Sequence, residues 1–204
     1  MKMRKKWLPI LMVLILIANL FPVNQVVEAS ESHVLNLSNP NASQYTKELF
    51  AYLKGLGNDE ILFGQQHATD EGLTLSGEGN LVGSTESEVK NAVGDHPAIF
   101  GWDTNSLDGQ ERPGNAIGDV VLSQEQRTRN LADSMIAAHK LGGIVTLSMH
   151  PNNFVTGGSY GDTSGNVVRE ILPGGSKHEE FNRWLDNIVN LSFLVKDEDR
   201  KSVV

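Results

Sequence analysis

The chain has 204 residues, a formal net charge of −8 and no cysteine. An acidic chain is a poor partner for nucleic acid or an anionic membrane surface, because both carry negative charge themselves. Without cysteine, neither a disulfide nor a catalytic thiol is available. These properties favour a globular domain that is stabilised by a hydrophobic core and acts on a neutral partner.

The first 29 residues are predicted to be a signal peptide. Four basic residues lie before position 7, an apolar run follows over 7–21, and the segment ends in Val27-Glu28-Ala29, a small-residue cleavage pattern. The alternative is a membrane anchor, but the run is shorter than the roughly 20 residues that a spanning helix needs. Cleavage after Ala29 leaves 175 residues with a net charge of −11. We therefore expect a secreted, extracellular protein with no membrane contact after cleavage.

Residues 30–40 are predicted to be a short polar lead-in, followed by a helix over Asn41–Leu56 with its apolar side chains on one face. A pattern of short apolar strand, loop and helix then repeats three times. The predicted strands are Ile61–Gly64, Ala98–Trp102 and Ile144–Ser148. Their continuous apolar runs are typical of strands that are buried on both faces.

Each predicted strand is followed by a helix that opens on a pair of residues with capping-box spacing. The pairs are Thr85 and Glu88, Ser123 and Gln126, and Ser176 and Glu179. The second helix is predicted to stop at Gly142-Gly143. In the third, Trp184 has helical spacing from other apolar residues and is predicted to pack in the core.

Alternating strands and helices predict an α/β fold with a parallel sheet. A doubly wound sheet and a β/α barrel both fit this pattern. Long loops rich in Gly, Asp, Asn and Ser follow the strands, whereas the returns from helix to strand are short. This asymmetry favours an incomplete (β/α)8 barrel of about three βα units, since barrel enzymes carry their sites on the loops after the strands.

Distinctive polar residues stand at the end of each predicted strand. His67 follows the first, Trp102-Asp103 ends the second, and His150 follows the third, with Asn153 shortly after it. In a barrel these strand ends meet at one mouth, so these side chains are expected to lie near one another.

Three interpretations of these residues remain open from their chemistry alone. Two His and one Asp are plausible zinc ligands, but the chain lacks the closely spaced His pairs of common zinc sites. Sugar binding fits better, because His, Asp and Asn hydrogen-bond to hydroxyls and Trp102 could offer a flat face to a sugar ring. The third interpretation is a set of polar caps at strand ends without further function.

Three segments resemble the opening of glycoside hydrolase family 26. They are Ile61-Leu-Phe-Gly-Gln-Gln-His67, Pro97-Ala-Ile-Phe-Gly-Trp-Asp103 and Gly142-Gly-Ile-Val-Thr-Leu-Ser-Met-His-Pro-Asn-Asn153. The third is the most specific, and the resemblance spans roughly Asn39 to Glu198. The main members of this family are secreted endo-β-1,4-mannanases with a β/α barrel, and the bacterial, Bacillus-type enzymes are the most similar.

The resemblance implies roles for the polar strand ends. His150 matches a family histidine that contacts the sugar next to the cleavage point, while Trp102 and Asp103 match the end of the second strand. His67 matches the end of the first. With Asn153 from the third motif, these residues form the expected substrate-binding set. The resemblance implies a mannan-type polysaccharide as partner, and we expect the intact protein to be a monomer. From the residues themselves we expect no metal or cofactor and, given the acidic charge, no nucleic-acid partner.

The catalytic residues of the family lie elsewhere. Its acid/base is a Glu after the fourth strand and its nucleophile a Glu after the seventh, and neither motif occurs in this sequence. A retaining glycosidase needs two carboxyls about 5–5.5 Å apart, and Glu170, Glu179 and Glu180 have no matched partner. We therefore expect no catalytic residue in this chain and no mannanase activity from it. Residues 41–198 would be the N-terminal part of the catalytic domain of a longer parent.

Residues 199–204 are interpreted as a non-native tail. Their sequence, Asp-Arg-Lys-Ser-Val-Val, is similar to a translated sequencing adapter, so read-through is one hypothesis. A genuine truncation or a natural short variant is the alternative, and sequencing the locus past codon 198 distinguishes them.

The function expected for the intact parent is endo-hydrolysis of β-1,4-mannosidic linkages with retention. The alternatives are another family-26 activity, on mixed-linkage β-glucan or β-1,3-xylan, and a non-catalytic carbohydrate-binding remnant.

Overall fold

Three parallel strands form one sheet in the order β1-β2-β3. The strands are β1 (Gly64–Gln66), β2 (Ile99–Asp103) and β3 (Ile144–Ser148) in the computed structural model, which describes residues 37–57, 60–75, 82–115 and 120–198. The predicted signal peptide, most of the lead-in and the predicted tail lie outside these residues. The register pairs Gly64 with Ile99, and Ile99 with Ile144. The carboxyl ends of the three strands therefore lie along one edge of the sheet.

In the described part of the chain, five helices accompany the sheet. They are α1 (Gln44–Gly55), α2 (Glu88–Val93), α3 (Gln124–Lys140), α4 (Val167–Ile171) and α5 (His178–Glu198), and a 3₁₀ turn over Thr104–Ser106 follows β2. The prediction of three strands that alternate with helices is confirmed. The short α4 was not predicted, because it lies within a Gly-rich segment that resembles a loop.

The first strand differs from its prediction over Ile61–Gly64. The sheet includes only Gly64 of that run, and the side chain of Ile61 is 95% exposed. The Phe63 carbonyl accepts hydrogen bonds from the N–H groups of Ala98 and Ile99, so the ladder begins there. Among the described strands β1 pairs only with β2. An apolar run indicates burial only where neighbours cover both faces, and here they do not.

Of the three predicted capping boxes, only the one at α3 is confirmed. Ser123 accepts a hydrogen bond from the Gln126 N–H, and the Gln126 side chain accepts one from the Ser123 N–H. The N-cap of α2 is Ser87 and not Thr85. The Glu88 carboxylate instead accepts from the N–H groups of Leu73 and Thr74.

The third predicted pair does not form either. The Ser176 hydroxyl donates to the Glu170 carboxylate, 2.7 Å away, instead of opening α5. In the first failed pair the carboxylate bonds to another loop, and in the second the serine bonds to a carboxylate outside the pair; hydrogen bonds to a charged acceptor are stronger than those to a neutral one. Sequence spacing alone does not reveal this competition.

The hydrophobic core lies between the sheet and helices α3 and α5. Fully or almost fully buried side chains come from β2, α3 and α5: Phe100, Trp102, Leu131, Ala138 and Leu191. The predicted apolar face of α3 is confirmed, with Met135 and Leu141 partly buried against the same cluster. Gly143 permits this packing, because a Cβ there would lie 2.4 Å from the Phe100 ring. Within the described ranges, no helix is long and apolar enough to cross a membrane.

Replacing Ser123 with alanine is expected to lower the free energy of unfolding by about 1 kcal/mol, because the first turn of α3 loses its side-chain cap. Urea denaturation measures the change. Ser159→Ala, at an exposed loop position, is the matched control and should change stability by no more than about 0.5 kcal/mol. Equal losses in both variants would contradict a capping role for Ser123.

Candidate functional site

Asp103 is the centre of a hydrogen-bond network at the carboxyl edge of the sheet. As the last residue of β2 it is 1% exposed. Its carboxylate accepts hydrogen bonds from the Ser148 hydroxyl at 2.6 Å and from the Asn105 N–H at 2.9 Å. A third hydrogen bond comes from the His150 ring. The sheet register brings Ser148 opposite Asp103, so this part of the network follows directly from strand pairing.

The environment of Asp103 keeps its carboxyl ionised. Burial acts to raise the pKa, but the hydrogen bonds from Ser148, the Asn105 N–H and His150 outweigh it and lower the pKa below its usual value. An ionised carboxylate only accepts hydrogen bonds, so the His150 nitrogen that faces it must carry a proton.

The imidazole ring of His150 is held in place at one nitrogen and exposed to solvent at the other. Its Nδ1 lies 2.5 Å from Asp103 Oδ2, and the backbone N–H of His150 donates to the Thr104 hydroxyl at 3.2 Å. The ring also lies against Tyr160, with 5.3 Å between the centroids. The side chain is nevertheless 54% exposed, and Nε2 makes no hydrogen bond to any described residue. Asp103 therefore orients the imidazole and leaves Nε2 available to a ligand hydroxyl.

His67 follows β1 and has a left-handed backbone, with φ of 53°. It is buried, and its Nε2 lies 3.1 Å from the Glu111 carboxylate. Its Nδ1 lies 3.4 Å from Asp70 Oδ1, an ion-pair distance without hydrogen-bond alignment. Burial lowers the pKa of His67, but Asp70, Glu71 and Glu111 outweigh it, so that the pKa is raised above its ordinary value.

Because the folded pKa of His67 is raised, protonated His67 contributes stability below the unfolded pKa of about 6.5. That contribution is lost as the pH rises through the folded pKa. We expect a lower urea midpoint at pH 8.5 than at pH 5.5, and a smaller decrease in His67→Gln. An unchanged pH dependence in the variant would show that other groups cause it.

Asn105 connects the two networks. Its backbone N–H donates to Asp103, and its side-chain amide donates to Glu111 at 3.3 Å. His67, Asp103 and His150 are therefore joined through Asn105 and Glu111. Sequence patterns did not identify Asn105, Glu111 or Ser148 as site residues. Only Ser148 had a signal, as the last residue of a strand beside a site residue.

Trp102 does not match the expectation of an exposed sugar-stacking face. The ring is 1% exposed, stacks on Phe100 with 6.5 Å between centroids, and donates its indole N–H to Asp70 at 2.9 Å. No open face remains for a sugar ring, because Trp102 points to the helix side of the sheet. In this structure Trp102 packs in the hydrophobic core.

Asn153 also differs from the substrate-binding role expected for it. It is 5% exposed. Its amide nitrogen donates to the carbonyls of Asp162 and Ser164, and its amide oxygen accepts from the N–H groups of Val155 and Thr156. These four bonds use the side chain fully. Asn153 therefore fixes the loop after β3 and has no capacity left for a ligand.

The site that remains presents hydroxyl-binding chemistry at an open sheet edge. His150 is half exposed, Gln66 is exposed at the end of β1, and Thr146 is exposed in the middle of β3. Within the part of the chain that the structure describes, no group of three or more His, Asp or Glu residues could hold a metal ion. The arrangement suits neutral, polyhydroxylated ligands.

Parallel βα units with functional groups at the carboxyl ends of their strands are the architecture of β/α-barrel enzymes. Residues 38–199 match the family model of glycosyl hydrolase family 26. The chain belongs to glycosyl hydrolase family 26, and its sheet is an incomplete β/α barrel.

Individual relatives agree with this assignment. A mannan endo-1,4-β-mannosidase of Bifidobacterium adolescentis is 37% identical over 172 residues, which are 84% of this chain and 16% of that protein. The catalytic domain of a Bacillus sp. JAMB-750 family-26 endo-β-1,4-mannanase is 58% identical with a TM-score of 0.73, covering 80% of this chain and 41% of that one. A modular Cellulomonas fimi endo-β-1,4-mannanase is 42% identical with a TM-score of 0.67, covering 80% and 34%. The chain thus spans less than half the length of each.

Proposed function

We propose that the chain supplies sugar-binding groups of a secreted endo-β-1,4-mannanase that hydrolyses mannan with retention. The observation that carries this is the buried, ionised Asp103, which holds the half-exposed His150 at the carboxyl edge of the sheet. Nε2 of an imidazole fixed in this way accepts a hydrogen bond from a sugar hydroxyl, or donates one when the ring is protonated. The similarity to endo-β-1,4-mannanases supports mannan as the polymer.

The chemistry of such an enzyme needs more than this site. Retention requires one carboxylic acid that protonates the leaving oxygen and one carboxylate that attacks the anomeric carbon. We place both outside this sequence, because the chain matches only 16–41% of the length of these relatives. The 204-residue chain alone is accordingly proposed to bind mannan oligosaccharides without cleaving them, and the intact parent is proposed to be a monomer.

The proposed organisation assigns residues 1–29 to export, 30–40 to a lead-in, 41–198 to the catalytic domain and 199–204 to a non-native tail. Amino-terminal sequencing of the secreted product tests the first boundary. A new terminus at Ser30 supports export and cleavage, whereas a retained Met1 contradicts them.

Isothermal titration of the full chain with mannohexaose, cellohexaose and β-1,3-xylohexaose tests the substrate class. We expect saturable binding of mannohexaose and weaker binding of the other two. The matched control is His139→Ala, an exposed histidine at the end of α3, which should bind like the unmodified chain. Preference for cellohexaose or xylohexaose would contradict mannan and favour another β-glycanase. Release of reducing sugar from mannan by the purified chain would contradict the placement of both carboxyls.

A further inference from the structure

A second cleft, of about 420 Å³, opens beside α3 and α5. Its walls include Asp108, Arg127, Asn152, Arg183 and Trp184. None of the three residues His67, Asp103 and His150 lines it, although Asn153, which follows His150 in the same loop, does. Its volume falls within the range of small-molecule pockets.

Two buried donors in the walls of this cleft lack partners. The Nε of Arg127 and the indole Nε1 of Trp184 are both shielded from solvent, and neither makes a hydrogen bond. A buried donor without an acceptor costs about 1–3 kcal/mol, and such groups are uncommon in folded proteins. A ligand with acceptor oxygens would satisfy both of them.

The charges around the cleft balance. Asp108 and Glu180 carry two formal negative charges, and Arg127 and Arg183 carry two positive ones. Burial raises the pKa of the Asp108 carboxyl above its usual value, with Arg127 opposing this only in part. The Asp103 carboxylate adds to the increase in the pKa of Asp108, and the nearby Trp184 indole N–H opposes it without making a regular hydrogen bond. A formally neutral lining favours a neutral ligand over an anion or a cation.

The remaining walls suit a sugar ring. Trp184 belongs to an aromatic cluster, at 6.0 Å from Phe181 and 6.2 Å from Phe154 between ring centroids. The side chains of Asn152 and Asn187 add amide donors and acceptors. Small-ligand pockets are commonly lined by aromatic side chains together with a few polar groups that point to the ligand.

We propose that this cleft binds one neutral hexose unit, through hydrogen bonds from Arg127 and Trp184 to its oxygens and from its hydroxyls to Asp108. The proposal goes beyond the mannanase function and does not require it, since neither His150 nor a catalytic carboxyl takes part. A polysaccharide chain or a side branch held here would be bound at a second point on the surface.

Ligand-observed NMR of the full chain with methyl α-D-mannopyranoside and methyl α-D-galactopyranoside tests the proposal. We expect saturable binding of at least one of the two, and at least about tenfold weaker binding in Arg127→Met, which keeps the apolar stem but loses the donors. Trp184→Phe keeps the aromatic packing and removes only the indole N–H, so it provides the same test if Arg127→Met does not fold. His139→Ala, at an exposed position at the end of α3, is the matched control and should bind the hexoside as the unmodified chain does.

Several results would overturn the proposal. Absence of saturable binding to either hexoside is one, and unchanged binding in Trp184→Phe is another. Loss of binding in His150→Ala would assign the hexoside to the strand-end site. Tighter binding of methyl β-D-glucuronide than of both neutral hexosides would show an anion site. If the hexoside binds while mannohexaose does not, the cleft stands and the mannanase proposal fails.

Discussion

Trp102→Ala is expected to lower the free energy of unfolding by about 3–5 kcal/mol, the usual cost of removing a large aromatic side chain from a packed core. Trp102 is fully buried between the sheet and the helices and stacks on Phe100. The change also removes the indole donor to Asp70, which is itself 1% exposed. A buried carboxylate that loses a partner adds to the cost. Urea denaturation followed by circular dichroism measures the difference.

Two further variants separate the contributions to this loss. Trp102→Phe retains an aromatic ring but not the hydrogen bond to Asp70, and should lie between the unmodified chain and Trp102→Ala. Ile61→Ala removes a large apolar side chain that is 95% exposed, and should change stability by no more than about 0.5 kcal/mol. A loss below about 1 kcal/mol in Trp102→Ala would contradict the core position of the ring.

His150→Ala is expected to weaken mannohexaose binding by about tenfold or more, because a hydrogen bond that involves a charged or strongly polarised group contributes about 1.5–3 kcal/mol. The side chain is 54% exposed, so stability should change little. Asp103→Ala should weaken binding similarly, by freeing the ring, and should also destabilise the fold because Ser148 and the Asn105 N–H lose their acceptor.

The contrast between the two variants is the informative result. Asp103 acts through His150, so it is a positioning residue, and the double variant should bind no more weakly than His150→Ala alone. Additive losses in the double variant would mean that Asp103 contacts the sugar itself. Unchanged binding in His150→Ala would contradict the assignment of the site.

The sequence predicted well those elements whose formation depends on residues close to one another in the chain. Strand β3 was predicted with its observed bounds, and the Ser123–Gln126 pair opens α3 as expected. Strand β1 was misplaced by three residues at its start, because an apolar run does not show which residues find a partner strand. The Gly-rich segment that contains α4 gave no helical signal.

The candidate site was predictable in part for a geometric reason. Parallel strands bring their carboxyl ends together, so the order of strands and helices along the sequence is enough to group His67, Asp103 and His150. Trp102 was misassigned because its position at the strand end was expected to leave the ring exposed. Pleating places Trp102 on the same face as Phe100, and α3 and α5 cover that face. The hydrogen bonds of Asn153 depend on a loop fold that sequence spacing does not encode.

A crystal structure of the full chain with bound mannotriose tests the central claim most directly. The proposed function predicts a mannose hydroxyl about 3 Å from Nε2 of His150, with Nδ1 still bonded to Asp103. A sugar bound elsewhere, with Nε2 in contact only with water at saturating mannotriose, would contradict the assignment of this edge of the sheet as a mannan-binding site.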